Sequence, residues 1–177
     1  MMLSATLALL LQAEAPVAPP ASPPKCDTPE HAAFDFWVGE WDVFPAGSDK
    51  QVGKSVIERL YNGCAIRENW KPLNGNAGGS LSNFDPNSGS WHQRWVGSTP
   101  GQVDFTGGVS NGKMVLTGNW PSPRARHQLI RMTYSKEEDG SVRQFGEASL
   151  DYGVKWAPAF DFIYRPEKEA LSQEPTQ

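Results

Sequence analysis

From Glu40 onward, short runs of apolar and polar residues are separated by Gly, Asn, Asp or Pro at intervals of 8–14 residues. That spacing predicts an antiparallel all-β meander. Ten strands are expected, over 40–44, 52–61, 63–71, 80–85, 90–98, 101–109, 112–120, 126–136, 141–150 and 154–165. Asn62-Gly63, Asn87-Ser88-Gly89, Pro100-Gly101, Asn111-Gly112, Asp139-Gly140 and Tyr152-Gly153 supply turn chemistry between them. Period-2 alternation then assigns faces. Cys64, Ile66, Glu68 and Trp70 share one face of the third strand, and Trp91, Gln93 and Trp95 one face of the fifth, with His92, Arg94 and Val96 opposite. On the last strand Trp156, Phe160, Phe162 and Tyr164 share a parity. One face of each strand is mainly apolar and the other mainly polar, so the sheet is solvated on one side. Closing ten such strands into an up-and-down barrel removes the exposed edges.

Ahead of the strands, Thr28-Pro29-Glu30 reads as a helix start, with Thr28 as N-cap and Pro29 at the first helical position. Gly39 is a natural stop. One short helix, Pro29 to Val38, is expected, with Phe34 and Trp37 on a common face. Further upstream, Leu3 to Leu11 is a short apolar run that fits the h-region of a secretory signal peptide. Ala13-Glu14-Ala15 offers an A-x-A cleavage pattern; Pro16 disfavours that cut, and cleavage after Ala13 competes. Residues 16–24 hold five prolines and no charge, the composition of an extended spacer. The expected organisation is a signal peptide over 1–15, a Pro-rich linker over 16–27, a barrel domain over 28–166 and a polar tail over 167–177. A periplasmic or secreted location follows. There the only two cysteines, Cys26 and Cys64, would form a disulfide rather than stay buried thiols. In the chain-entropy picture such a bridge stabilises by ~3–4 kcal/mol.

The 177 residues carry a net charge of −4 with no long Lys/Arg cluster, which argues against a nucleic-acid or anionic-lipid partner. No apolar run approaches the about 18 residues of a membrane-spanning helix. The G-x-S-x-G, H-E-x-x-H, P-loop and Rossmann motifs are missing, and Glu137-Glu138 lies in an expected exposed hairpin. His31, His92 and His127 are too scattered for a metal site. No catalytic residue, metal or cofactor is therefore assigned.

Phe36-Trp37-Val38-Gly39-Glu40-Trp41-Asp42-Val43 places a G-x-W directly after the helix and at the start of the first strand. With GCAIRENW, SNFDPNSGSWHQRWV, GSVRQFGEASLDYGVKW and FDFIYR, it resembles a bacterial, often exported, lipocalin-like (calycin) family of unknown function over about residues 30–166. The resemblance implies an all-β, about ten-stranded lipocalin-like barrel in which Gly39 and Trp41 shape one end and Trp41 plugs it. It also implies a basic residue of the last strand packing across that Trp; the matching position is Arg165, so an Arg165–Trp41 stack is expected.

Glu68 interrupts the apolar parity of the third strand, between Ile66 and Trp70. An interior carboxylate needs a cationic or hydrogen-bonding partner. Gln93, Gln144 and Arg131 are the candidates, although Ile130, Met132 and Tyr134 form the more apolar parity of Arg131's strand. A polar cluster within aromatic walls suits a small amphipathic ligand. The candidate binding set is Glu68, Trp70, Gln93, Trp95, Arg131 and Gln144, with Trp91 and Trp156 as further possible walls. A structural network, or a bulge that turns Glu68 outward, is the competing reading. The architecture also resembles nitrobindin-type barrels, which hold haem through an interior His. His92 lies on the outward parity, while His127 could face either way. The expected role is an exported, non-enzymatic barrel for a small amphipathic or apolar molecule. The alternative is a filled barrel acting as an envelope structural or interaction module. An interior cavity above about 300 Å³ favours binding.

Overall fold

The computed structural model describes residues 26–123 and 125–167. The segment expected to be signal peptide, nearly all of the Pro-rich linker and all of the polar tail except Glu167 lie outside the described residues. A four-residue helix α1 (Pro29–Ala32) and a 3-10 turn (Asp35–Trp37) precede ten strands. These are β1 (Gly39–Pro45), β2 (Gly53–Leu60), β3 (Ala65–Pro72), β4 (Gly78–Asp85), β5 (Ser90–Gly97), β6 (Gln102–Ser110), β7 (Lys113–Asn119), β8 (Leu129–Lys136), β9 (Val142–Ser149) and β10 (Ala157–Pro166). Each strand pairs antiparallel with the next, and β1 pairs with β10 to close the barrel. Tyr61, Asn62 and Asn111 adopt positive φ at turns that the Asn-Gly dipeptides mark.

Inward positions alternate as the parity requires: Val43, Ile57, Ile66, Phe105, Met132 and Val142 are buried. The helix is shorter than its pattern predicts. Phe34 sits at φ −112°, ψ 6°, which ends α1 and starts the 3-10 turn. In a 3-10 turn residues three apart eclipse each other, and here that geometry stacks Phe34 on Trp37 with ring centres 4.9 Å apart. Thr28 shares its hydroxyl with His31 Nδ1 and makes no side-chain cap bond, so the expected capping interaction is also replaced.

Both rings are fully buried and seal one end of the barrel against Trp91, Tyr134 and Tyr164. The segment is latched from outside as well. The Trp91 indole N–H donates to the Glu30 carbonyl at 3.2 Å, and Arg59 pairs with Asp35 and donates to the Cys26 carbonyl. Cys26 is disulfide-bonded to Cys64, across 38 positions.

The G-x-W does shape this end. Trp41 is 6% exposed, its ring folds back over Gly39, and its indole N–H donates to the Trp37 carbonyl at 2.9 Å. A Cβ on Gly39 would lie 3.1 Å from that ring, and the backbone there has φ +152°. The expected Arg165–Trp41 stack is not made. Arg165 is on the parity opposite the inward Tyr164, so it points out, lies 4.4 Å over the Phe44 ring and donates to Asp49. Tyr164 meets the Trp41 ring edge instead.

Candidate functional site

At the end opposite the plug the barrel is open, and a cavity of about 280 Å³ reaches down its axis. Trp70, Trp95, Trp120, Phe160 and Phe162 wall its upper part; Glu68, Gln93, Tyr134, Gln144 and Tyr164 form its polar floor. The rings are held against the wall because the neighbouring strand offers glycine where they lie. A Cβ on Gly146 would come within 2.2–2.5 Å of three carbons of the Phe160 ring. One on Gly78 would meet Trp95 at 2.6 Å, and one on Gly53 would meet Trp70 at 2.6 Å. Larger residues at these positions would push the rings into the lumen.

On the floor, register places complementary polar side chains directly opposite each other on neighbouring strands. Glu68 faces Ser80, whose hydroxyl donates to Glu68 Oε2 at 2.9 Å. Gln93 faces Ser82 and donates to its hydroxyl at 3.1 Å. Gln144 faces Tyr134 and donates to its phenol at 2.9 Å, while the Tyr164 hydroxyl donates to Gln144 Oε1 at 2.8 Å.

The expected partners of Glu68 are thereby corrected: none of Arg131, Gln93 and Gln144 bonds to it. Arg131 sits between the buried Ile130 and Met132, on the outward parity. There it pairs with Glu147, which faces it on β9, and stacks 4.2 Å over Trp156. Trp156 is outside for a related reason. A register shift between Pro158 and Phe160 breaks the alternation that linked it to Phe160 and Phe162. Trp91 belongs to the plug and does not line the cavity. Glu68, Trp70, Gln93, Trp95 and Gln144 do come together around it.

Glu68 is 6% exposed, and among the described residues it has no ion-pair partner. Loss of hydration pushes its carboxyl from an ordinary 4.5 up to about 7, against the Ser80 hydrogen bond, which favours the charged form. Ser55 leans the same way as a nearby buried dipole, although its hydroxyl meets no partner at bonding geometry. Burial, and then the charge of Glu68, raise the Tyr134 phenol well above its ordinary value. Tyr164 is raised by the same two causes and by Tyr134. Both remain neutral hydrogen-bonding groups.

Ser80 and Ser82 are not legible as floor residues in the sequence, because the one hydrophobe between them, Leu81, suggests the opposite facing; Leu81 is 44% exposed. The glycines opposite the rings were the readable signal for the open lumen. No histidine lines the cavity: His92 bonds to Ser88 and Thr106 on the outer face, His127 packs against Tyr152, and His31 lies edge-on to Phe84. Haem held through an interior His, as in nitrobindin-type barrels, therefore has no ligand in this lumen.

Fold and cavity together define a closed, ten-stranded, antiparallel calycin-like barrel with one sealed and one open end. No protein-family model matches the chain, and no curated protein matches it either.

Proposed function

We propose that the protein is a non-enzymatic barrel that binds one small, partly apolar molecule in its lumen, outside the cytoplasm. The observation that carries this reading is the lumen itself, in which rings lie against glycines above a buried polar floor. A barrel whose interior serves only as core has no use for a buried, unpaired carboxylate, which costs free energy that apolar packing would not. Glu68, Trp70, Gln93, Trp95 and Gln144 are the proposed ligand contacts, joined by Trp120, Phe160 and Tyr164. The Cys26–Cys64 disulfide supports the extracytoplasmic placement. One number favours the filled-barrel reading instead, since about 280 Å³ falls just short of the ~300 Å³ at which ligand pockets usually begin.

Native mass spectrometry of the protein purified from the periplasm, before and after mild organic extraction, tests the choice. The expected result is a reproducible extra mass that extraction removes. A bare mass, with no adduct after challenge with fatty acids, haem and isoprenoids, would transfer the barrel to a structural or interaction role.

A further inference from the structure

The charge pattern of the lumen narrows the ligand class, resting on the small-molecule reading above. Among the described residues no Lys, Arg or His lines the cavity, and its one carboxyl, Glu68, stands there without a counter-ion. Arg131, the cation nearest in the sequence pattern to supplying one, is turned outward and engaged by Glu147 and Trp156. Above Glu68 the walls are aromatic, and the face of an aromatic ring is the negative pole of its quadrupole. Phe160 lies face-on over Gly146, leaving its other face toward the lumen. Floor and walls thus repel an anion and attract a cation. A carboxylate buried without a partner is costly, and an incoming positive charge with N–H donors offsets that cost while the rings add cation–π attraction.

We propose that the barrel selects a small organic ammonium ion, a protonated primary or secondary amine on a one-ring or short alkyl body. Its N–H groups donate to Glu68, and its apolar body lies against Trp70, Trp95, Trp120, Phe160 and Phe162. A cavity of about 280 Å³ has the share of liquid volume of about nine waters, which limits the body to that size.

Isothermal titration calorimetry on the full chain with three probes of matched shape tests the proposal: 2-phenylethylammonium, 2-phenylethanol and phenylacetate. At pH 8 the ammonium is expected to bind at least tenfold more tightly than the alcohol, with phenylacetate weakest. Glu68→Gln should remove the preference for ammonium over alcohol, bringing the two affinities within about threefold of each other. In the wild type, ammonium affinity should fall about a hundredfold from pH 8 to pH 5 as Glu68 takes up its proton. The alcohol's affinity should hold, because the titratable groups facing Glu68, Tyr134 and Tyr164, stay neutral throughout. If alcohol or phenylacetate binds as tightly as the amine, the ammonium proposal is overturned and the binding barrel stands. If none binds, the ammonium proposal fails as well, and the mass spectrum decides separately whether the lumen carries another cargo.

Discussion

The two ends of this barrel are made of the same residue types and come out opposite. At the sealed end Phe34 stacks on Trp37, and Trp91, Tyr134 and Tyr164 meet that pair edge-on or tilted, all five at 3% exposure or less. At the open end Trp70, Trp95, Trp120, Phe160 and Phe162 are only partly buried and stand around a space. What differs is the neighbour each ring meets. The N-terminal segment inserts two extra rings into the sealed end, and the strands there offer side chains to pack against. At the open end the adjacent strand withdraws to glycine at Gly53, Gly78 and Gly146, so Trp70, Trp95 and Phe160 lie against the wall. Aromatic content alone therefore does not tell a core from a pocket; the residue one strand away does.

That contrast can be broken from either side. The largest effect is expected from Trp37→Ala, which empties a fully buried site in the plug and should cost about 3–5 kcal/mol in denaturant unfolding. Trp95→Ala at the open end should cost less than half as much while abolishing ligand uptake. If the two substitutions cost the same, the two ends are equally core-like and the distinction fails.

Next in size is the floor between the ends. Glu68 holds its proton up to about pH 7 when folded, while the unfolded chain releases it near 4.5. The folded state thus loses stability as pH rises through that window, and the penalty is complete above it. Glu68→Gln should leave stability unchanged near pH 4 and raise it by about 3 kcal/mol at pH 8. Urea titrations at the two pH values check this; a flat difference would mean that Glu68 is well solvated or paired. Gly146→Ala should cost about 1–3 kcal/mol through overpacking on Phe160. It should also shrink the lumen, read as lost binding of whichever probe the wild type takes. The smallest effect belongs to Arg165→Ala. A half-exposed guanidinium over Phe44 and beside Asp49 is worth about 0.5–1 kcal/mol, so the melting temperature should barely move.

Much of this architecture was legible in the residues. The Gly, Asn and Pro punctuation located ten strands, and the parity of Ile66, Glu68 and Trp70 correctly turned Glu68 inward. What escaped depends on register and on neighbours in space. The shift at Pro158/Phe160 cannot be seen in a run of alternating aromatics, and strict alternation assigns Trp156 to the wrong face. The need to neutralise Glu68 draws Arg131 inward on paper, but its own parity and the acid opposite it, Glu147, assign it to the surface. The helix failed for a similar reason: local propensity favours ten residues, but the plug needs Phe34 and Trp37 eclipsed, and tertiary packing decides.

The closing seam has a consequence for the order of assembly. Nine of the ten strand pairings join neighbours in sequence, and each can form as a hairpin on its own timescale. The tenth brings Trp41 beside Pro166 and Val43 beside Tyr164, spanning nearly the whole described chain. Non-local closure of that kind is slow, because loop entropy is lost before the contacts form. The chain should therefore exist for a time as a curved open sheet with β1 and β10 unpaired, and no lumen can exist until the last strand has emerged. A truncation that removes β10 would leave two raw edges and an exposed aromatic interior, a template for self-association rather than a smaller barrel.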